Sequence, residues 1–509
     1  MIAQVNTTAL YGIDGFIVEV EADISNGLPG FDIVGLPDTA VKESKERIRA
    51  AIKNSGLVMP SKHITLNLAP AHIKKEGAHF DLPIAVGILC ASEQFRQPSQ
   101  DAVFLGELSL NGDLRRINGV LPMVIAAYQK GIKTIFLPEE NAREAAVVEG
   151  LTVYGAKSLK DIVMHSTGEK PLSPYREKNN FANIDENEHI YDFKDVKGQV
   201  FVKRALEIAA AGGHNLLMIG PPGSGKTMIA QRIPSILPDM SFDEALEVTK
   251  VHSIAGLVSE NQPLVRQRPF RHPHHTVSSV GLSGGGSNPK PGEISLSHNG
   301  VLFLDELPEF RRDALEAMRQ PLEDGEVTIV RSGGTVTYPC SVMLVASMNP
   351  CPCGYYGDPN RECSCSQTQI MKYMSKISGP LLDRIDLHIE VPAVKYEELE
   401  TKAEGESSAD IKERVNKARH IQLMRYKGRQ VYSNSQLTPD LMKVHCELDK
   451  ETNELLREAY NTLGLSARAH NRILKVARTI ADLAGEESIK MEHIAEAIQY
   501  RALDKKFFN

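Results

Sequence analysis

The feature that most constrains the fold of this chain is a glycine-rich segment between an apolar run and a helical pattern. The run Leu216–Ile219 is continuously apolar, as in a fully buried strand. The eight residues that follow are Gly220, Pro221, Pro222, Gly223, Ser224, Gly225, Lys226 and Thr227. Glycines at a strand-to-helix turn let backbone N–H groups surround phosphate oxygens, and the helix N-terminus favours negative charge. This order predicts a phosphate-binding P-loop in an α/β core, with these eight residues binding ATP.

Side chains in and near this loop have the chemistry that a bound triphosphate requires. Lys226 supplies a positive charge to the β and γ phosphates, and Thr227 supplies a hydroxyl to Mg²⁺. A second apolar strand, Val301–Leu304, ends in Asp305 and Glu306. We expect Asp305 to be the outer Mg²⁺ ligand and Glu306 to polarise the attacking water. Two acids after an apolar run are common at strand ends, so it is the P-loop that favours the catalytic interpretation.

A third strand is expected over Ser341–Ala346, and the chain then reaches Asn349. The amide of Asn349 is suited to orient water at the γ phosphate. An asparagine that follows a strand is commonly only a turn former, so both interpretations stay open.

Polar stretches divide the chain into an expected multidomain α/β architecture. Its 509 residues exceed one compact core, so two or three domains are expected. Residues 1–165 form a first α/β domain, 166–190 a polar linker, 191–395 the P-loop core, and 396–509 a helical domain. Apolar spacing predicts strands at Phe16–Val20, Ile64–Leu68 and Lys133–Pro138, and helices at Val41–Ile52 and Leu82–Cys90. In the tail, helical spacing places on shared faces Ile411, Val415 and Ala418, and Ile473, Ala477, Ile480 and Ala484.

Charge and hydropathy restrict the partners and the compartment. Lys and Arg total 58 and Asp and Glu total 65, which gives a net charge of −7. Any nucleic-acid contact must therefore come from local basic patches. We find no apolar run of about 18 residues and no signal-peptide pattern at the start of the chain. We expect a cytoplasmic protein with no membrane span and with reduced thiols.

Four of the seven cysteines are crowded into one short stretch. Cys351 with Cys353 and Cys363 with Cys365 form two Cys-x-Cys pairs separated by nine residues. Four thiolates match the ligand number of a closed tetrahedral Zn²⁺ site, although the usual spacing is Cys-x₂-Cys. The alternative of four free thiols in a polar loop is disfavoured because exposed thiols are easily oxidised. We expect a structural zinc site next to Asn349.

The strand tips, together with Asp383–Asp386 and Ser466–Arg468, resemble those of an AAA+ ATPase. More narrowly, the chain is similar to the ComM/YifB group of magnesium-chelatase-like proteins. Arg268–Thr276, Gly284–Leu296 and Gly379–Arg384 carry this resemblance, which covers nearly the whole chain. It implies a hexameric DNA helicase that uses ATP and Mg²⁺ to drive branch migration during recombination of transforming DNA. The implied partner is single-stranded, forked or branched DNA.

The resemblance also implies roles for arginines in the second half of the chain. Arg384 is similar to the arginine finger that one subunit donates to the ATP of its neighbour. Arg468 is similar to the second sensor in the helical lid, and Arg472, one turn further on, is a rival for that role. Such cations stabilise γ-phosphoryl charge only when a ring has formed. The alternative for each arginine is a surface ion pair.

The interval from Lys226 to Asp305 is long for a P-loop core and predicts inserted material. It carries the candidate DNA contacts Arg268, Arg271, His274 and His275. A hairpin or loop that faces a central pore would use such side chains to hold phosphates. A second hairpin is predicted over Val327–Tyr338, with Arg331 near its tip as a further candidate. The alternative is that these charged loops pack subunits together.

Residues 1–165 resemble the proteolytic domain of Lon through Lys75–Asp81, Leu105–Leu108 and the segment from Ile117 to Pro138. Lon-type proteases need a serine nucleophile activated by a lysine. His79 stands at the serine position and Leu121 at the lysine position, so the resemblance implies a domain without peptidase activity. Its candidate DNA contacts, which could equally be a solvated face, are Lys74, Lys75, Arg115 and Arg116.

Three functions are consistent with these features. The favoured one is a DNA translocase; the others are the AAA+ motor subunit of a magnesium-chelatase-type complex and a regulatory ATPase without translocase activity. The Lon-like first domain and the cysteine loop favour the translocase, because chelatase motors typically lack that combination.

Overall fold

The structure is a computed structural model that describes residues 2–176, 191–286, 289–331, 334–359, 361–394, 405–429, 431–503 and 507. The chain divides into two compact units. The first comprises Met1–Asn183, Phe242–Val265 and Val330–Thr337, and the second comprises Ile184–Ser241, Arg266–Ile329 and Tyr338–Asn509. Two segments from within residues 191–395 thus belong to the first unit.

The strands in chain order are β1 (Ile2–Tyr11), β2 (Asp14–Ser25), β3 (Gly30–Val34), β4 (His63–Ala69), β5 (Ala102–Phe104), β6 (Glu107–Leu108), β7 (Leu114–Arg115), β8 (Thr134–Pro138), β9 (Thr152–Ala156), β10 (Leu216–Ile219), β11 (Phe270–Arg271), β12 (Gly284–Gly285), β13 (Lys290–Pro291), β14 (Val301–Leu304), β15 (Glu326–Arg331), β16 (Gly334–Pro339), β17 (Met343–Met348) and β18 (Leu387–Glu390). The helices in chain order are α1 (Thr39–Asn54), α2 (Asp81–Ala91), α3 (Val120–Gln129), α4 (Ala142–Ala145), α5 (Leu159–Thr167), α6 (Val200–Gly212), α7 (Lys226–Ala230), α8 (Phe242–Ile254), α9 (Ser279–Ser283), α10 (Glu293–Leu296), α11 (Arg312–Ala317), α12 (Pro321–Asp324), α13 (Gln367–Met374), α14 (Gly379–Leu382), α15 (Ser408–Arg425), α16 (Pro439–His445), α17 (Lys450–Leu463), α18 (Ala467–Leu483) and α19 (Met491–Gln499).

The first unit is built on a seven-stranded mixed sheet with the order β3-β4-β2-β1-β5-β8-β9. β1 pairs antiparallel with β2, whereas β1, β5, β8 and β9 are parallel neighbours. Alternate residues of β5 enter different hydrophobic clusters, Phe104 with α1 and α2 and Val103 with α3. Because successive strand residues point to opposite faces, helices cover both faces of this sheet. Each strand and helix predicted in this unit is confirmed by β2, β4, β8, α1 and α2.

The segment Phe242–Val265 adds α8 to the first unit beside the start of α3. The backbone N–H of Gly119 donates to the Ser253 carbonyl at 3.0 Å. The Ser253 hydroxyl donates to Glu144, whose carboxylate also accepts the backbone N–H of Leu121 at 3.0 Å. Glu144 is buried, and this burial raises the pKa of its carboxyl group. The side chain of Leu121 is itself fully buried, so an apolar core side chain fills the position that the Lon resemblance aligns with lysine.

The second unit contains a five-stranded parallel sheet with the order β11-β14-β17-β10-β18. Ile219 lies opposite Met348, and Leu304 lies opposite Ala346. The carboxyl ends of β10, β17 and β14 therefore meet at one edge, which is where open α/β sheets bind ligands. β10 and β14 have the predicted bounds, whereas the third strand runs over Met343–Met348 and so extends past its predicted end.

The C-terminal part of the second unit is helical, from α15 to α19. The predicted apolar faces of α15 and α18 are buried, except that Ala484 is exposed because α18 ends at Leu483. The expected linker 166–190 begins inside α5, and residues 177–190 lie outside the described part of the chain. The start of the expected helical domain 396–509 also lies outside it, since residues 395–404 are not described. Among the described helices, not one has both the length and the apolar character needed to cross a bilayer.

A buried ionic cluster joins α15 and α18. The carboxylate of Asp482, which is 2% exposed, accepts from both terminal nitrogens of Arg425 at 2.9 and 2.6 Å. It also accepts from Arg478 Nε at 3.1 Å and from Asn434 Nδ2 at 2.8 Å. One carboxylate thus pairs with two arginines within the helical region.

Replacing Asp482 with alanine is expected to destabilise the protein by about 3–5 kcal/mol, because both arginines lose a buried counter-charge. Asp440→Ala is the control, since Asp440 pairs with Lys443 at 3.4 Å where the two side chains are 92% and 78% exposed. Urea denaturation followed by circular dichroism measures both effects. A stability loss no larger than that of the control would show that the cluster contributes little.

Candidate nucleotide-binding site

The glycine-rich loop follows β10 directly and requires glycine at several positions. Gly223 and Gly225 have φ of 77° and 88°, a left-handed conformation that glycine adopts without strain. A Cβ at Gly220 would lie 2.2 Å from the carbonyl oxygen of Val391. Gly225 precedes the first residue of α7, so the loop ends at a helix N-terminus, as the sequence predicts.

The ammonium group of Lys226 lies inside this loop. Lys226 is buried, and its Nζ donates to the carbonyl oxygens of Gly220 at 2.8 Å and Pro221 at 2.9 Å. It also lies 3.3 Å from Oδ1 of Asn349. Burial lowers the pKa of Lys226, and the charges of Asp305 and Glu306 oppose that shift. A buried cation whose hydrogen bonds go to neutral oxygens is a favourable partner for an anionic phosphate.

The sheet order brings Thr227 and Asp305 into contact. Thr227 Oγ1 donates to Asp305 Oδ2 at 2.6 Å, and the backbone N–H of Glu306 donates to Asp305 Oδ1 at 3.1 Å. The Ser347 hydroxyl also donates to Oδ1. Hydroxyl and carboxylate oxygens at the edge of a phosphate-binding loop are the ligands that Mg²⁺ prefers. The residues present therefore fit a magnesium–triphosphate complex.

Sequence reasoning missed Ser347 and Gln199. Ser347 lies one residue beyond the end of the predicted strand, and it is 0% exposed because every residue of β17 is buried. Gln199 has φ of 53° and donates through Nε2 to the carbonyls of Ser224 at 3.0 Å and Pro392 at 3.2 Å. No sequence periodicity indicates Gln199, because it lies in the turn before α6 and its partners are distant in the sequence.

Glu306 projects from the strand tip into an open cleft. It has φ of 55°, and its side chain is 60% exposed. A cleft of about 450 Å³ is lined by Glu306, Asn349 and Tyr373. Nδ1 of His275 lies 3.8 Å from Oε2 of Glu306. The structure thus brings Glu306 and Asn349 to one opening beside the loop.

The three arginines of interest lie elsewhere in the second unit. Arg384 is 8% exposed, donates through Nη1 to the Pro380 carbonyl at 2.7 Å, and forms an ion pair with Glu323. Arg468 and Arg472 line a cleft of about 500 Å³ together with Glu323. The described residues that line this cleft include none of Gly220–Thr227. None of the hydrogen bonds and ion pairs described for Arg384 and Arg472 reaches Gly220–Thr227 of the same chain.

The four clustered cysteines converge. The Sγ atom of Cys351 lies 3.3 Å from that of Cys353 and 3.7 Å from that of Cys363, and all four thiols are within 4.8 Å of one another. A tetrahedral zinc site with Zn–S bonds of about 2.3 Å needs sulfur atoms about 3.8 Å apart. The donor set and its spacing therefore fit a metal ion.

The cysteine loop packs against the glycine-rich loop. Gly354 lies between the two Cys-x-Cys pairs and has φ of 87°. A Cβ at Gly354 would lie only 2.5 Å from Cδ of Pro222. The backbone of the cysteine loop thus lies so close to Pro222 that a side chain at Gly354 would clash with it.

Comparison with known proteins identifies the family. Profiles described as magnesium chelatase, subunit ChlI; subunit ChlI of Mg-chelatase; and magnesium chelatase, subunit ChlI C-terminal match residues 192–399, 20–141 and 405–501. Competence protein ComM of Haemophilus influenzae is 46% identical over 509 residues, which covers 99% of this chain and 98% of that protein. YifB of Escherichia coli is 45% identical over 504 residues, 98% of this chain and 97% of that protein.

The chain belongs to the ComM/YifB family of magnesium-chelatase-like AAA+ proteins. A more distant similarity links it to the Lon protease of Mycolicibacterium smegmatis, which is 25% identical over 166 residues. That match covers 30% of this chain and 21% of the protease. The mixed α/β units, the parallel sheet and the helical C-terminal region agree with the fold class expected from the sequence.

In this ComM/YifB-family chain, the basic residues of the insertion have different surroundings. Arg268 donates through Nε to the Pro238 carbonyl and through Nη1 to the Asn299 carbonyl, both at 2.7 Å. Arg271 forms a two-bond ion pair with Glu293 at 2.7 and 2.9 Å. His274 is exposed, with Nδ1 at 2.9 Å from Thr276 Oγ1. The backbone of Arg331 ends β15, and its side chain lies outside what the structure describes.

The basic candidates of the first unit also separate into two kinds. Lys75 is fully buried and donates to the Ile73 carbonyl at 2.7 Å, and Arg116 donates to the Val258 carbonyl. Lys74 and Arg115 lie at the surface beside the carboxylates of Glu76 and Glu107, respectively. Lys75 and Arg116 thus have internal structural contacts, whereas Lys74 and Arg115 are surface cations.

Gly354→Ala is expected to weaken binding of a non-hydrolysable ATP analogue about tenfold, because the new methyl group overpacks against Pro222 at a cost of about 1–3 kcal/mol. Gly428→Ala is a matched control, since Gly428 has φ of 80° and nothing within 4 Å of its added Cβ. Fluorescence titration of both variants measures the affinities. Equal affinities would show that the cysteine loop does not influence the phosphate-binding loop.

Proposed function

We propose that this chain is an ATP-hydrolysing DNA translocase that works as a homo-oligomeric ring, a hexamer by analogy with its family, in the cytoplasm. Its activity would be branch migration during recombination of incoming DNA in natural transformation. The observation that carries the proposal is the separation of two half-sites. Lys226, Thr227 and Asp305 form one half-site, whereas Arg468 lines a different cleft of the same unit together with Glu323, the ion-pair partner of Arg384. A complete site would then need two protomers.

The chemistry follows from the positions of the side chains. Lys226 and the loop N–H groups would hold the β and γ phosphates, and Thr227 and Asp305 would hold the magnesium ion. Glu306, which is 60% exposed, would accept the proton of the attacking water, and Asn349 would orient that water. Arg384 would stabilise the γ-phosphoryl charge at the neighbouring protomer, with Arg468 or Arg472 as the second sensor.

DNA would be held by the insertion between Lys226 and Asp305 and by the β15–β16 hairpin. His274, which is exposed, and Arg331, at the end of β15, are the proposed phosphate contacts. Arg268 and Arg271, which bond to carbonyls and to Glu293, would hold the insertion in shape. Residues 1–165 would support ring assembly or hold DNA, and 396–509 would act as the lid.

Two observations favour the DNA function and one favours the alternative. The full-length similarity to a protein named for competence supports a role in DNA uptake, and the chain has a cysteine loop that chelatase motors typically lack. The magnesium chelatase profiles support instead a motor that remodels a chelatase partner. DNA-dependent activity separates the two, and also separates the translocase from a regulatory ATPase.

The test is migration of a synthetic four-way DNA junction with ATP. The unsubstituted protein is expected to migrate the junction, with DNA stimulating hydrolysis. Lys226→Ala and Glu306→Gln should abolish migration, Glu306→Gln retaining ATP binding while hydrolysis falls at least about a hundredfold. Glu309→Gln, which changes a neighbouring acid paired with Lys376 at 3.0 Å, is the control that should stay active. If DNA does not stimulate ATP hydrolysis and the four-way junction does not migrate, the translocase proposal is refuted.

We also propose that Cys351, Cys353, Cys363 and Cys365 bind a structural Zn²⁺ ion. Purified protein should contain about one zinc per chain, and Cys363→Ser should remove most of it. Cys340→Ser, at a buried cysteine outside the cluster, should leave the zinc content unchanged. Elemental analysis that finds less than about half an equivalent in the unsubstituted protein would count against zinc.

A further inference from the structure

Asn215, the residue directly before β10, forms hydrogen bonds through both its backbone and its side chain. Its Oδ1 accepts the backbone N–H of Leu344 at 2.8 Å, and its Nδ2 donates to the Arg384 carbonyl at 2.9 Å. Its backbone N–H donates to Asp386 Oδ2 at 3.0 Å. Its carbonyl accepts the N–H groups of Asp386 and Leu387, both at 3.0 Å. One residue thus joins β10, β17, β18 and the turn that carries Arg384.

The strands tied together by Asn215 lead to the nucleotide site. β10 runs from Leu216 into the glycine-rich loop, and β17 runs through Leu344 to Asn349. The two strands are parallel neighbours in continuous register from Leu216 to Ile219. A short, fully buried strand pair is stiff, so a displacement at its carboxyl end is transmitted to its amino end.

Arg384 is held by its backbone more firmly than by its side chain. Its carbonyl oxygen accepts from Asn215 Nδ2 and from Arg472 Nη1, both at 2.9 Å. Among the described residues, its guanidinium bonds to the Pro380 carbonyl and to the half-exposed carboxylate of Glu323, and its buried Nε has no hydrogen-bond partner. The hydrogen bonds to its carbonyl therefore fix the position of the Arg384 backbone, while the guanidinium can exchange partners at a modest cost in free energy.

We propose that Asn215 is a positioning residue for Arg384: it fixes the backbone of the finger relative to β10 and β17, the strands that lead to the same chain's P-loop and Asn349. Each protomer would thereby link its own nucleotide site to the arginine that it presents to its neighbour. This proposal rests on the proposed function, in which Arg384 completes a neighbouring site.

A mixed-ring assay separates this role from a merely structural one. Lys226→Ala protomers retain Arg384 but cannot use ATP, and Arg384→Ala protomers retain the P-loop but lack the finger. Neither should hydrolyse ATP alone, whereas random mixing at equal amounts makes about a quarter of the interfaces competent. Asn215→Asp is then introduced into one partner at a time. This change keeps the acceptor for Leu344 and removes the donor to the Arg384 carbonyl.

With Asn215→Asp in the Lys226→Ala partner, kcat should fall at least about tenfold with KM for ATP unchanged, because a displaced finger loses transition-state contacts. With Asn215→Asp in the Arg384→Ala partner, kcat should stay within twofold of the unsubstituted mixture. The proposal would be overturned if kcat fell equally in both mixtures, if it fell only in the mixture with Asn215→Asp in the Arg384→Ala partner, or if it fell in neither.

Controls keep the outcomes distinct. Asn416→Asp is matched, because Asn416 Nδ2 donates to Asp239 Oδ2 at 2.9 Å and its Oδ1 accepts the Asp239 N–H at 3.1 Å, away from Arg384. Asn416→Asp should lower kcat in neither of the two mixtures. If Asn215→Asp protein does not fold or assemble, Asn215→Ser carries the same prediction. If the mixture with Asn215 intact shows no ATPase activity, the shared site of the proposed function is refuted. If that mixture is active but Asn215→Asp lowers kcat equally in either partner, only the role of Asn215 is refuted.

Discussion

The contact on which the nucleotide site depends is the 2.6 Å hydrogen bond between Thr227 and Asp305. These residues are 78 positions apart and follow strands that are not neighbours, because β17 lies between β10 and β14. Their meeting requires three parallel strands in one register, with Ile219 opposite Met348 and Leu304 opposite Ala346. A one-residue slip would turn the strand side chains to the wrong face and separate the hydroxyl from the carboxylate.

Three polar side chains near this sheet form specific hydrogen bonds, which hold the surrounding elements in place. Ser347 holds Asp305, Gln199 holds the carbonyl of Ser224, and Asn215 holds the turn at Arg384. A buried polar group that loses its partner costs about 1–3 kcal/mol, so each bond favours one arrangement over its alternatives. The same reasoning applies in the first unit, where the buried Glu144 accepts from α8 and from the start of α3.

Basic residues show why charge in the sequence is a weak guide to binding. Arg268, Arg271 and Lys75 have internal partners, whereas His274 is exposed. A guanidinium has five N–H donors and satisfies them with carbonyls or carboxylates wherever the fold brings these near. The sequence shows that a cation is present, and the fold decides whether its partner belongs to the same chain.

The local features follow from the sequence alone: the phosphate-binding loop, the strands that lead to Asp305 and Asn349, and the grouping of four cysteines. These follow from short-range rules, namely apolar periodicity, the conformational needs of glycine and ligand spacing. Which distant residues meet depends on the tertiary structure. In the fold, the third strand extends far enough for Ser347 to contact Asp305. The segment Phe242–Val265 belongs to the first unit, and Asn215 connects three strands with the turn at Arg384. Such meetings depend on strand order and register, and no short window of sequence contains that information.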